Sequence, residues 1–115
     1  MDHLVAYGTL QSSYPTLARL GLAAAVRPAG RCRFRGTIRD LGPYPGFVLD
    51  GGGDCHGELL AVLEPRAWAV LDRFEGAEYR RLRITCVEPA GAEAWIYEMV
   101  VPAGEPVAGG VWRST

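Results

Sequence analysis

The chain has 115 residues, about half of them apolar, and a formal net charge of −1. This length predicts one domain, residues 1–115, with a single core. The near-neutral charge argues against a nucleic-acid-binding protein, which would normally carry a basic stripe. No window approaches the roughly 18 uncharged apolar residues of a membrane-spanning helix. The N-terminal segment is acidic, and no apolar signal core follows it, so we expect a cytoplasmic protein.

The cysteines and histidines form no recognisable disulfide or metal-binding pattern. Cys32, Cys55 and Cys86 are scattered and odd in number, and the histidines are His3 and His56. Neighbouring residues in a strand point to opposite faces, so Cys55 and His56 are poorly placed to chelate one ion. We therefore predict neither a disulfide framework nor a metal site.

The first quarter of the chain predicts a strand and a helix. Residues 3–7 are an apolar run that predicts a buried strand. Residues 12–15 (Ser-Ser-Tyr-Pro) predict a helix start with a serine cap and an early proline. This helix would carry Leu17 and Leu20 and end near Gly21.

The middle of the chain predicts further strands. Residues 25–39 include an alternating, arginine-rich stretch, which is typical of a strand with one face in water. Residues 41–46 predict a turn and residues 47–49 a brief strand. Residues 51–54 predict a tight hairpin loop, which leads into a strand over residues 55–63.

A helix starting at Pro65 would place a carboxylate on its apolar side. At roughly 100° per residue, Glu75 falls inside the apolar arc, between Leu71 and Trp68. A carboxylate facing the core is costly unless it is paired or protonated. Two interpretations stay open, namely acid–base chemistry or a buried ion pair just downstream. The arc consists of Ala67, Trp68, Val70, Leu71 and Phe74, and the candidate ion-pair partners are Arg80, Arg81 and Arg83.

The C-terminal part predicts a hairpin and a tail. Residues 79–87 and 94–101 form the two arms, with the turn at residues 89–91. The tail, residues 102–115, is rich in Gly and Pro, and Trp112 could anchor it to the body or to a partner, so the oligomeric state stays open. Five to seven strands and two helices predict an α+β fold, a small mixed β-barrel with flanking short helices.

Two other features could contribute to a ligand site. The turn at residues 7–10 leaves a strand and approaches a helix start, so its backbone N–H groups could point at one carboxylate or oxyanion. A plain strand-to-helix connection is the alternative. The hydroxyl groups of Tyr79 and Tyr97 could line a pocket, although aromatic residues in strands are often part of the core. The residues of the turn are Tyr7, Gly8, Thr9 and Leu10.

Four ordered blocks of this sequence resemble the γ-glutamylcyclotransferase-like proteins, most closely the branch of γ-glutamylamine cyclotransferases. Together they span nearly the whole chain, and Tyr97 and Trp112 also have counterparts in the family. The blocks are Tyr7-Gly8-Thr9-Leu10, Gly36 through Asp40-Leu41-Gly42 to Tyr44-Pro45, Gly57-Glu58-Leu59, and Leu71-Asp72 with Glu75-Gly76, Tyr79 and Arg81.

This resemblance implies a barrel whose cavity holds a γ-glutamyl group, with a glutamate at the position of Glu75 as general acid–base. The α-amine of the substrate attacks its own γ-amide, which releases an amine and 5-oxoproline. The backbone N–H groups of Gly8, Thr9 and Leu10 would hold the α-carboxylate or the developing oxyanion. The substrate supplies its own nucleophile, so the reaction requires no Ser or Cys nucleophile, no metal and no cofactor. The expected partner is a small molecule, with neither nucleic acid nor membrane.

The sequence leaves the amine half of the substrate open. Many relatives carry a glycine and a polar residue soon after the loop, where this chain has Gln-Ser-Ser-Tyr at residues 11–14. A biosynthetic enzyme that removes a γ-glutamyl group from a pathway intermediate, such as an aminoglycoside precursor, would use the same chemistry. A non-catalytic module of the same fold is a further alternative; it would bind a small acidic ligand, and Glu75 would be structural, paired with an arginine.

Overall fold

The chain folds into two β-sheets and two short helices, as the computed structural model shows for residues 1–113. The last two residues of the predicted tail, 114 and 115, lie outside this described part. The α+β class is confirmed. The elements are β1 (Asp2–Ala6), α1 (Thr16–Arg19), β2 (Val26–Arg35), β3 (Thr37–Asp40), β4 (Pro45–Val48), β5 (Asp54–Val62), α2 (Arg66–Glu75), β6 (Tyr79–Thr85), β7 (Glu93–Met99), β8 (Glu105–Pro106) and a 3₁₀ turn at Ala108–Gly110.

Strand β1 lies at the centre of the five-stranded sheet, whose order is β2-β5-β1-β7-β6. It pairs antiparallel with β5 and parallel with β7. Its side chains alternate, so Leu4 and Ala6 pack with the helices while Val5 packs with the second sheet. The apolar run at the start of the sequence is therefore a strand buried on both faces.

A glycine moves the chain from the first sheet to the second. The stretch predicted as one strand over residues 25–39 is two strands, and Gly36 between them has a φ of 150°. A Cβ atom at this position would clash with the ring of Phe47 and the carbonyl oxygen of Val48. Only glycine combines this φ with such close approach. The second sheet, of order β4-β3-β8, begins immediately after it.

The predicted barrel is wrong, because the sheet curls without closing. Within residues 1–113, β2 and β6 are the two edges of the five-stranded sheet, and β2 meets the β6–β7 turn through a single isolated bridge, Arg33 to Glu88. Strand β3 pairs with β4 on one side and with β8 on the other, instead of completing the main sheet. For the same reason residues 51–54 are not a hairpin loop: residues 49–53 connect β4 in one sheet to β5 in the other, and Asp54 is the first residue of β5.

The two helices differ in how well the sequence predicts them. Helix α1 has only four residues, its N-cap is Pro15 and it has no side-chain cap, so the predicted serine cap is wrong. Helix α2 follows Pro65 as predicted and ends before Gly76, and it buries Ala67 and Leu71. Phe74, predicted within the apolar arc, is instead 44% exposed. Among the described residues, no helix has the length and hydropathy needed to cross a membrane.

The space between the two sheets forms one part of the core and holds all three cysteines. Burial raises the pKa of the Cys32 thiol to about 12 and that of Cys55 to about 11, and it also raises the pKa of Cys86. Trp112 lies in the same cluster, and its indole Nε1 donates a hydrogen bond of 3.3 Å to Asp40 Oδ1. In this structure the tryptophan therefore packs on its own chain.

We predict that Gly36→Ala lowers the free energy of unfolding by about 2–4 kcal/mol, since it combines an unfavourable φ with overpacking against Phe47. Gly51→Ala is the matched control, because a Cβ there meets no atom and its φ is unexceptional. Urea unfolding of both variants measures the difference. Equal stability of the two variants would contradict this account of the sheet crossing.

Candidate functional site

A cavity of about 380 Å³ opens where β1 ends. Three segments enclose it, namely the loop at residues 8–10, the turn at residues 43–45, and residues 74–79 around the end of α2. The structure brings all the residues predicted for the site to this one cavity. They are Glu75, Tyr7, Gly8, Thr9, Leu10, Tyr79 and Tyr97.

Glu75 is the last residue of α2, and its side chain is partly buried in the cavity wall. This burial raises the pKa of the carboxyl group from 4.5 to about 7. The negative end of the helix dipole acts in the same direction. Glu75 can therefore exchange a proton with a ligand near neutral pH.

The three candidate ion-pair partners of Glu75 bind other carboxylates, so the structure contains none of the ion pairs that the alternative interpretation requires. Within residues 1–113, Glu75 takes part in no ion pair. The three arginines lie on β6, and each binds another carboxylate. The distances are 2.9 Å from Arg80 to Glu98, 3.1 Å from Arg81 to Asp72, and 3.4 Å from Arg83 to Glu93.

Three of the four tyrosines that line the cavity donate their hydroxyl hydrogens to acceptors within the protein. Tyr7 donates to the carbonyl oxygen of Tyr97 at 2.6 Å, and Tyr79 to that of Pro45 at 2.8 Å. Tyr97 donates to Asp72 Oδ1 at 2.7 Å. Burial raises the pKa of all three phenols, and the Glu75 carboxylate adds to this. They stay protonated at neutral pH, so they shape the wall and are not bases.

The loop at residues 8–10 offers free backbone donors. Among the described residues, none accepts a hydrogen bond from the N–H groups of Gly8, Thr9 or Leu10. The loop turns tightly, since Gln11 N donates to the carbonyl oxygen of Gly8 at 3.1 Å. Gly8 itself lies so close to Pro45 that a Cβ atom would approach the proline Cγ to 2.6 Å. Such a turn is suited to an anionic group.

Sequence reasoning missed the role of Glu58. It is only 9% exposed, and its Oε1 and Oε2 atoms accept hydrogen bonds of 2.6 Å from the backbone N–H and the hydroxyl of Ser12. Ser12 follows the loop at residues 8–10, so Glu58 ties this loop to β5. An acid inside the apolar run of residues 57–62 was the signal that could have identified it.

Asp72 was also missed as part of the site's support. Its carboxylate accepts from the hydroxyl of Tyr97 and forms two contacts with Arg81, at 3.1 and 3.2 Å. The guanidinium carbon of Arg81 lies 4.3 Å from the ring centroid of Trp68 and 5.1 Å from that of Trp95. This cluster holds the arginine away from Glu75.

The arrangement combines a carboxyl group that titrates near neutrality with N–H donors that can bind an anion. Fold and site thus define the class: a small α+β protein with a cavity in which one carboxyl group titrates near neutral pH. A family model described as Gamma-glutamyl cyclotransferase, AIG2-like matches residues 4–114. The chain therefore belongs to the AIG2-like γ-glutamyl cyclotransferase family. The match is to the family as a whole and does not distinguish the γ-glutamylamine branch within it.

Solved structures share this fold. The protein ytfP from Escherichia coli is 27% identical; the match covers 96% of this chain and 95% of that one, with a TM-score of 0.73. An uncharacterised protein from Pyrococcus horikoshii is 21% identical over 96% and 89% of the two chains, with a TM-score of 0.75. An AIG2-like protein from Mus musculus, also called ggact, is 19% identical over 90% and 80%, with a TM-score of 0.69. No curated protein matches the chain significantly.

We predict that Glu75→Gln stabilises the protein at pH 8. The folded carboxyl has a pKa of about 7 against an ordinary 4.5, so the folded state binds more protons between these values and wild-type stability falls as the pH rises through them. Glutamine avoids this loss, and the gain above pH 7 is on the order of 3 kcal/mol. At pH 4 the two proteins should unfold alike.

Urea unfolding at pH 4, 6 and 8 measures this dependence. Glu64→Gln is the control, because Glu64 lies just before the start of α2 with an exposed side chain paired to Arg66. The ion-pair interpretation requires the opposite sign, a loss of about 3–5 kcal/mol in Glu75→Gln.

Proposed function

We propose that this chain is a γ-glutamylcyclotransferase that acts on a γ-glutamyl amine and releases the free amine and 5-oxoproline. The observation that carries the proposal is the Glu75 carboxyl, with a pKa raised to about 7, in one cavity with the free N–H groups of residues 8–10. Membership of the family supports the reaction class. The amine half and the physiological role, catabolic or biosynthetic, are open to experiment.

In this mechanism Glu75 moves protons between two nitrogens of the substrate. The carboxylate takes a proton from the α-ammonium group, and the free α-amine attacks the γ-carbonyl carbon to close the ring. The tetrahedral intermediate then loses its amine as the γ-carbon–nitrogen bond breaks. Two protons pass in all from the α-nitrogen to the leaving nitrogen, so that the lactam and an ammonium product balance the substrate.

The remaining residues position the glutamyl chain. The N–H groups of Gly8, Thr9 and Leu10 bind the α-carboxylate or the developing oxyanion, in the role of a preorganised anion site. The tyrosine wall excludes water, and the loss of hydration raises the basicity of Glu75. The same wall holds the folded substrate near the geometry of attack. The volume of about 380 Å³ lies in the range of small-molecule sites.

We expect Glu75→Gln to fold normally and to lose turnover by more than about 100-fold, the scale of a lost acid–base group. The assay measures 5-oxoproline released from γ-glutamyl-ε-lysine, simple γ-glutamyl alkylamides and glutathione. Glu64→Gln serves as the control at the other end of α2. Near-native activity of Glu75→Gln would remove Glu75 from the mechanism, and silence of the folded wild type across the panel would favour a non-catalytic binding module.

The rim of the cavity indicates which amines fit. Tyr44 and Phe74 are 40% and 44% exposed there, and the acid Glu78 lies beside them. Among the described residues, no arginine lines the cavity. A carboxylate on the amine half would therefore face acids without a cation, whereas an apolar or cationic amine would meet aromatic rings and Glu78.

We predict that the γ-glutamyl derivatives of butylamine and 1,4-diaminobutane have kcat/KM values at least about tenfold above that of glutathione, given the charge arrangement at the rim. Glu78→Gln should narrow the difference between the diamine and monoamine derivatives, because it removes the acid that faces the second ammonium group. A preference for glutathione would contradict this interpretation of the rim.

A further inference from the structure

The side chain of Glu58 points towards the loop at residues 8–10 because side chains alternate between the two faces of a strand. On β5, Leu60 and Val62 face the helices, and Glu58 lies on the same face because residues two apart share a side. The residue opposite Glu58 on β1 is Ala6. Glu58 therefore lies beside the end of β1, just before the loop at residues 8–10.

Two short hydrogen bonds join Ser12, which follows the loop, to the carboxylate of Glu58. Ser12 donates both its N–H and its hydroxyl at 2.6 Å, lengths typical of charge-assisted bonds. No described residue forms an ion pair with Glu58. The loop over residues 7–11 is thus held at both ends by one residue of β5, through pairing with Ala6 and through the bonds to Ser12.

A second brace fixes the interior of the same loop. The carbonyl oxygen of Gly8 accepts from the backbone N and from Nε2 of Gln11, at 3.1 and 3.2 Å. Arg31, on β2, donates to Gln11 Oε1 at 3.0 Å. Since the carbonyl group of Gly8 is held in this way and the N–H groups of residues 8–10 bond to no described residue, these N–H groups are left for other partners.

We propose that Glu58 is a positioning residue that acts through Ser12 to orient the N–H donors of residues 8–10 in the cavity. The kinetic part of this inference rests on the proposed function, whereas the ordering of the loop does not. An ordinary structural role would stabilise the fold without affecting how the loop binds an anion. The two roles are therefore separable by experiment.

The kinetic test compares three variants. Glu58→Ala removes both bonds and should lower kcat/KM about 100-fold, and Ser12→Ala removes one bond and should lower it about tenfold, the scale of a misplaced binding group. Ser12→Thr keeps the hydroxyl and should restore native values. A rise in KM indicates that the N–H groups bind the α-carboxylate of the substrate, and a fall in kcat indicates that they bind the oxyanion. Unchanged kcat and KM in both alanine variants would overturn the proposal.

A measurement without substrate tests the loop directly. Backbone ¹⁵N relaxation should give order parameters of about 0.85 for residues 8–10 in the wild type and below about 0.6 in Glu58→Ala. The control is Glu98→Ala, which removes another buried acid; the described hydrogen bonds of Glu98 go to Leu49 N and Arg80, and none goes to residues 8–10. It should lower the Tm and leave the order of residues 8–10 unchanged.

These readouts separate the possible failures. If the wild type releases no 5-oxoproline but Glu58→Ala disorders the loop, the proposed function falls and the positioning role stands. If the loop keeps its order in Glu58→Ala, the positioning role falls whatever the activity. Should Glu58→Ala fail to fold, Ser12→Ala and Ser12→Thr decide the question by the same two measurements.

Discussion

Burial of the Glu75 carboxyl without a counter-charge is the constraint on which the rest of the site depends. An ionised carboxylate loses hydration when it is buried and recovers the free energy only from a cation or hydrogen-bond donors. The described residues give it neither, because the three nearby arginines of β6 bind Glu98, Asp72 and Glu93. Those pairs, which join β6 to β7 and to α2, leave Glu75 without a counter-charge among the described residues.

The protein uses buried acids in two contrasting ways. Glu58 and Glu98 are almost fully covered, yet each accepts at least two hydrogen bonds from the protein. Glu75 is less buried but has no such donors. The two acids of the scaffold are hydrogen-bonded by the protein, whereas the acid facing the cavity has no hydrogen-bond partner among the described residues. The hydrogen-bonded acids supply the rigidity that keeps Glu75 in place.

Local patterns predicted the parts of this site that depend on local periodicity. Helical spacing placed Glu75 on the inner side of α2, and the strand-turn pattern placed residues 7–10 at the end of a buried strand. Long-range partners could not be predicted, since the pairing of Arg81 with Asp72 or of Ser12 with Glu58 requires the three-dimensional arrangement of separate elements. The open sheet was missed because β8 and Gly36 decide whether β3 and β4 join the main sheet, and neither is visible as a periodic signal. The exposure of Phe74 also could not be predicted from local periodicity, because this side chain faces the cavity rather than a packed neighbour.

The burial of the three cysteines determines how the whole molecule reacts with oxidants and alkylating agents. All are shielded from solvent, and burial keeps their thiols protonated at neutral pH. Alkylating agents and peroxides react with exposed thiolates, so the folded protein presents them with no good target. The proposed reaction takes its nucleophile from the substrate. A γ-glutamyl cyclotransferase built in this way should keep working under oxidative conditions that silence enzymes with a catalytic cysteine.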